Sequence, residues 1–195
     1  MVASILVSRL IGFVREWAIA QTVGATAMTD VYYASFTVPD FLNYLMAAGA
    51  LSITFIPVLS RFTEAKQTET AQRLYRTLLT VMGSILCGLV LLAEIFTPVL
   101  ARWIAPGFSA EQNAELVFLL RIILPAQFFF YCGGLAMAVQ QTHGQFFYAA
   151  LAPIAYNSGI ILCGVLFHSQ LGVAGFSVGV LVGAFFSHGV LQWWA

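Results

Sequence analysis

Residues Ser8–Phe62 read SRLIGFVREWAIAQTVGATAMTDVYYASFTVPDFLNYLMAAGALSITFIPVLSRF, an apolar stretch interrupted by Arg9, Arg15, Glu16 and Asp30. A charge at mid-depth in a bilayer costs about 2.5–3.5 kcal/mol on insertion scales. Several charges in one apolar stretch are tolerated when they face a wet cavity or hold a ligand. The rest of the chain shows that lipid is its solvent. Of the 195 residues 61% are hydrophobic and 8% charged, and the mean hydropathy is +0.90. Soluble domains carry about 25% charged residues, so this chain cannot cover a water-facing surface.

Eight basic and eight acidic side chains give a formal net charge of zero, and no basic excess points to nucleic acid. The first apolar run is broken by arginines and does not fit a cleavable signal peptide. Cys87, Cys132 and Cys163 sit in apolar runs with no zinc or redox spacing and read as small buried residues. His143, His168 and His188 have no carboxylate or thiol at ligand spacing, so neither a metal nor a cofactor is expected.

A membrane span needs about 20 mostly apolar residues. Six candidates follow, at roughly 5–23, 29–59, 78–104, 116–139, 147–167 and 172–195. The runs are too long and continuous for alternating barrel strands, so the expected fold is an all-α polytopic bundle. Pro39, Pro57, Pro125 and Pro153 fall within these spans. Pro39 beside Asp40 reads as a bend at a polar position, with a plain packing kink as the alternative. Gly175, Gly179 and Gly183 form a small-xxx-small row that lets helix backbones approach closely. Glycines 83, 88, 133, 134, 159, 164 and 172 add to the same packing reading.

Loop charge sets the orientation. The stretch Arg61–Arg76 carries Arg61, Lys66, Arg73 and Arg76, whereas Ala105–Asn113 has no lysine or arginine. The positive-inside rule puts the first on the cytoplasmic side. The N-terminus and, with six spans, the C-terminal end are then cytoplasmic too. Trp103, Trp193 and Trp194 fit interfacial anchors.

Arg9 and Arg15 point roughly 120° apart on a straight helix, so both can border a wide cavity but not form one tight patch. Arg9 can alternatively snorkel to the headgroups. Arg15 is deeper, and Asp30 is expected to return across the bundle and pair with it. A guanidinium so held can grip a phosphate through two parallel hydrogen bonds. Glu94 and Arg102 read as interface residues, and Arg121 as structural or cavity-lining. No paired catalytic carboxylates, serine elbow or phosphate-cradling glycine loop is present, so transport or binding fits better than catalysis.

The opening SRLIGFVREWAIAQTVGATAMTDVYYASFTVP resembles the start of the MurJ/MviN family, the lipid II flippases of bacterial peptidoglycan synthesis. So do AAGALSITFIPVLSRF (Ala47–Phe62), APGF (Ala105–Phe108), LLRIILP (Leu119–Pro125) and LAPIAYNSGIIL (Leu151–Leu162). These matches fall in the family's order. The resemblance implies two six-helix lobes in a V around a central cavity, of which this chain matches the first. An apolar run still continuing at Ala195 also suggests truncation, with the second lobe as a missing partner. The resemblance implies flipping of an undecaprenyl-pyrophosphate-linked lipid in the bacterial inner membrane. It also brings membrane lipids and a monovalent cation as further candidate partners.

The family's motif residues fall on Arg9, Arg15 and Asp30, and Asn43 and Asn157 complete the candidate cavity set. Glu16, Pro39 and Asp40 are supporting residues. Several positions depart from the family pattern. A usual arginine pair is Asn43 and Tyr44, a usual glutamate is Ala48, a usual arginine is Gln21, and Glu16 replaces an aspartate. An exporter of another polyprenyl-linked glycan or of a drug is the alternative. A non-transporting scaffold fragment is a third reading.

Overall fold

The computed structural model describes residues 2–46 and 55–194. Among them every regular element is helical. They are α1 (Val2–Thr22), α2 (Ala27–Ala34), α3 (Thr37–Met46), α4 (Ile56–Glu64) and α5 (Thr68–Ile104). Next come α6 (Ala110–Ile123), α7 (Ala126–Thr142), α8 (Phe147–Leu171) and α9 (Ala174–Ala184). A π-helical turn (Phe185–Val190) then leads into α10 (Leu191–Trp194). Four helical units are long and apolar enough to cross a membrane: 68–104, 110–142, 147–171 and 174–194. Helix α1 has 21 residues but carries three charges. The chain is thus an all-α, multi-pass membrane bundle whose outward faces carry large apolar side chains such as Leu91, Leu92, Ile95 and Phe96.

The expected second span, 29–59, is not one helix. Helix α2 stops at Ala34, and α3 starts again at Thr37. Proline has no N–H, and its ring clashes with the carbonyl four residues back, which for Pro39 is that of Ser35. The break therefore falls upstream of the predicted bend, with Pro39 in the first turn of α3, where its missing N–H goes unneeded. Buried Ser35 turns its Oγ to donate to the Tyr32 carbonyl at 2.6 Å. A separate helix, α4, carries Pro57 in its first turn.

The segment 116–139 is likewise two helices. Helix α6 begins earlier than expected, with Ser109 and Gln112 in a reciprocal capping box, and the chain turns at Leu124–Pro125 before α7. This junction divides the core. Leu116, Leu119, Leu120 and Ile123 pack with Ile19, Tyr32 and Phe176, whereas Leu135 and Tyr131 pack with Leu42, Leu59 and Leu86.

The charged stretch 61–76 is also mostly helical rather than a loop. The N–H of Gln67 bonds the Phe62 carbonyl at 2.9 Å, and that of Lys66 bonds Thr63 at 3.1 Å. With Lys66 at φ +56°, these bonds end α4 in the glycine-type left-handed turn. Helix α5 then runs for 37 residues, about 55 Å, against a hydrocarbon core of about 30 Å. Its polar first turns therefore reach beyond the apolar layer.

The tightest packing is α8 against α9. A Cβ on Gly159 would lie 2.6 Å from the Gly183 Cα, and one on Gly179 would lie 2.7 Å from the Ile160 Cα. The predicted glycine row is thus a contact surface at Gly179 and Gly183. Gly88, by contrast, meets nothing within 4 Å, so its packing role is not observed. Of the cysteines only Cys132 is buried, and Cys87 is exposed on the outward face of α5.

Candidate functional site

The two broken spans meet at one depth and leave a cavity of about 450 Å³ between them. Tyr32, Tyr33, Phe36, Pro39, Asp40 and Asn43 come from α2, α3 and the turn joining them. Ile123, Gln127 and Phe130 come from either side of the Pro125 junction. Arg15 of α1, Tyr156 of α8 and Val180 of α9 close it. Interrupted backbone at membrane depth is tolerated where it lines a polar cavity.

Arg15 is held by three bonds to two partners. Its Nη1 donates to Asn157 Oδ1 at 3.1 Å and its Nε to Glu16 Oε1 at 3.1 Å, and its Nη2 also bonds Glu16 Oε1. Asn157 is buried, and its Nδ2 donates to the Pro153 carbonyl at 2.8 Å, which turns its oxygen toward Arg15. The Tyr33 hydroxyl donates to the other Glu16 oxygen. A guanidinium has five N–H groups, and three are used here. Two remain without a partner among the described residues, on a side chain that is 28% exposed.

Asp30 does not pair with Arg15, contrary to the sequence expectation. Glu16 lies six residues before the end of α1 and Tyr33 six after the start of α2, about 9 Å of rise on each side of the turn. Asp30 is only three residues in, a turn nearer the membrane end, and is exposed. Tyr33 is level with the ion pair and donates to Glu16, which takes the place expected for Asp30. Arg9 is exposed as well and stands outside the cavity lining.

The structure therefore brings together Arg15, Glu16 and Asn157 by hydrogen bonds, and Arg15, Pro39, Asp40 and Asn43 around one cavity. Tyr44 is exposed and outside the lining, and Ala48 lies outside the described residues. Arg121 bonds Thr97 of α5 through its Nε at 3.1 Å, so its place is structural and it does not line the cavity.

Sequence reasoning missed Tyr32, Tyr33, Gln127 and Tyr156. Two of them carry a free bonding atom. The Tyr32 hydroxyl and Gln127 Oε1 are buried with no partner among the described residues, on side chains 2% and 4% exposed. An unpaired buried polar atom costs about 1–3 kcal/mol, which favours a ligand or water that satisfies it. The available signal was position: Gln127 stands two residues past the proline that breaks its span. Arg15 is the one cation lining the cavity among the described residues; Asp40 shares the lining, and Glu16 pairs with Arg15.

The family model for "Lipid II flippase MurJ" matches residues 19–193. A probable lipid II flippase MurJ of Rhizobium tropici is 32% identical over 165 residues, covering 83% of this chain and 31% of that protein. The lipid II flippase MurJ of Burkholderia cenocepacia is 30% identical over 191 residues, covering 96% of this chain and 36% of its own length. The chain thus spans about a third of the length of these relatives. A solved structure titled "Lipid II flippase MurJ, inward closed conformation" shares the fold, with a TM-score of 0.83 at 24% identity. That match covers 97% of this chain and 40% of the other. With a family model covering most of its length and relatives across several bacteria, this chain belongs to the lipid II flippase MurJ family.

Proposed function

We propose that this chain forms the first lobe of a flippase that carries lipid-linked peptidoglycan precursor, lipid II, from the inner to the outer leaflet by alternating access. Arg15 carries the proposal. It lines a cavity at membrane depth, is fixed by Glu16 and Asn157, and keeps two N–H groups without a partner among the described residues. A pyrophosphate oxygen pair suits that fork. The Tyr32 hydroxyl and Gln127 Oε1 supply further bonding atoms for the headgroup. A second lobe beyond this chain would complete the V and add cations to a cavity that has one among the described residues. The host membrane is the bacterial inner membrane.

Asn43 lines the cavity at a position where the family commonly has arginine. Asn43→Arg is expected to bind an undecaprenyl-pyrophosphate-linked headgroup about tenfold more tightly, through new charge-assisted hydrogen bonds worth about 1.5–3 kcal/mol before rotamer costs. Binding to the purified full-length protein reads this directly. Unchanged affinity would show that the headgroup anion does not approach Asn43.

The N-terminus is proposed to be cytoplasmic, with the charged start of α5 on the same side. Thr68 and Ser109 are both exposed and lie just inside and just beyond the two ends of α5. Cysteines placed there, in a background lacking the three native ones, should label from opposite faces, with Thr68→Cys reacting from the cytoplasm. Labelling of both from one face would overturn this topology.

A further inference from the structure

Away from the cavity, three recesses adjoin one another along α5. The first, of about 540 Å³, lies between α4, α5, α7 and α10. Gln140, Gln192 and Trp193 line it, as do Gln72 and Tyr75. Gln140 and Gln192 are 7% and 3% exposed. Gln140 Nε2 donates to the Gln192 carbonyl at 3.2 Å, and Gln192 Nε2 donates to the Tyr148 and Ser187 carbonyls at 3.2 and 3.0 Å. These bonds fix both amides with nitrogen committed and oxygen spare. Both Oε1 atoms are buried and unpartnered among the described residues. Among the described residues no lysine, arginine, aspartate or glutamate lines this recess, His143 is its one imidazole, and the two amide oxygens lack a donor.

The second recess shares Gln72 with the first and holds Arg73 and Arg76. Glu69 also lines it, but neither arginine forms an ion pair among the described residues. The third, of about 600 Å³, shares Trp193 with the first and Thr80 with the second. It is an apolar groove floored by small residues, Gly83, Ser84, Cys87 and Gly189, between Phe128 and Phe185. The donor-seeking recess, the cationic recess and the apolar groove thus form one continuous surface. The two polar recesses lie where α5 leaves the apolar layer, at headgroup depth.

We propose that this surface is a binding site for one phospholipid with a primary-amine headgroup. The ammonium donates to Gln140 and Gln192, the phosphate meets Arg73 and Arg76, and one acyl chain lies in the groove. An ammonium offers three donors, which suits two spare amide oxygens better than a trimethylated headgroup, which has none.

The test uses the full-length protein in nanodiscs of equal ethanolamine and choline phospholipids with a small share of polyprenyl phosphate, followed by native mass spectrometry of the released protein. The expected result is one ethanolamine phospholipid retained about tenfold over choline, a difference on the scale of one good hydrogen bond to a charged group. The double variant Arg73→Ala/Arg76→Ala and the groove-filling Ser84→Phe should each remove most of that retention, since all three positions are exposed. Arg15→Ala should leave it unchanged, which separates this site from the transport cavity. Equal retention of both phospholipids, preferential retention of polyprenyl phosphate, or retention indifferent to both variants would overturn the proposal.

Discussion

Arg15→Ala is expected to abolish the ability of the gene encoding this chain to sustain cells depleted of their own lipid II flippase, while the protein still inserts into the membrane. The substitution removes the cavity's one cation among the described residues and the fork that would hold a pyrophosphate. Two charge-assisted bonds to the headgroup are lost, at about 1.5–3 kcal/mol each before desolvation is counted. Glu16 keeps its bond from Tyr33 but loses its counter-charge, and Asn157 Oδ1 loses its donor. Headgroup binding should weaken by roughly a hundredfold. Arg15→Lys should also be impaired, because one ammonium cannot reach Glu16 and Asn157 and still present two parallel N–H groups. Complementation, with membrane abundance measured alongside, checks both. Full growth with either variant would remove the fork from the mechanism.

Gly179→Leu is expected to produce a large loss of stability from one small-residue change. Its Cβ would sit 2.7 Å from the Ile160 Cα and 2.9 Å from the Gly159 and Ile160 carbonyl oxygens. All three are backbone atoms, which cannot rotate away as a side-chain tip could. Helices α8 and α9 would have to separate, and overpacking of this kind costs about 1–3 kcal/mol or more. At about 3 kcal/mol a chain of this size loses roughly 6–12 °C in Tm. Transport should fall as well, because Tyr156 and Asn157 stand on the displaced face of α8. Gly88→Leu is the control, since its Cβ meets nothing within 4 Å. Thermal unfolding of the detergent-solubilised protein reads both variants. Equal melting of the two would show that the close approach does not limit stability.

Much of the fold could be read from residue type because lipid leaves few options. Long apolar runs must be helices, and a proline within one removes a backbone bond, although Pro98 and Pro153 sit inside continuous helices. Pro39 and Pro125 stand beside the α2–α3 and α6–α7 breaks, although neither gave the position of the break to the residue. For Pro39 the clash acts on the carbonyl four positions earlier, so the chain parts at Ser35–Phe36. The charged stretch 61–76 read as a loop because loops are polar. A polar helix projecting beyond the bilayer has the same composition, and only Lys66 in a left-handed turn separates α4 from α5.

At the site, Arg15 was legible from its depth and charge, Asp40 from its place beside Pro39, and Asn43 from the family resemblance. The partner of Arg15 was not legible. It is the neighbouring Glu16 together with Asn157 of α8, while the residue of α2 that stands level with them, Tyr33, bonds Glu16. Tyr32, Tyr33 and Tyr156 were hidden because aromatics in an apolar span look like packing until their hydroxyls are located. Gln127 shows its role only through a bond left unmade, and Asn157, expected in the cavity set, instead holds Arg15 and is not among the residues lining the cavity.

The central claim is that the headgroup of a lipid-linked precursor occupies the cavity beside Arg15. Site-specific photocross-linking tests it most directly. A photoreactive phenylalanine analogue placed at Phe130, in the cavity wall, is compared with one at Phe96, on the outward apolar face of α5. Both proteins are irradiated in membranes that are synthesising the radiolabelled precursor. The expected result is a labelled adduct from Phe130, diminished by Arg15→Ala, and none above background from Phe96. Labelling from Phe96 alone, or equal labelling from both positions that Arg15→Ala leaves unchanged, would contradict the claim.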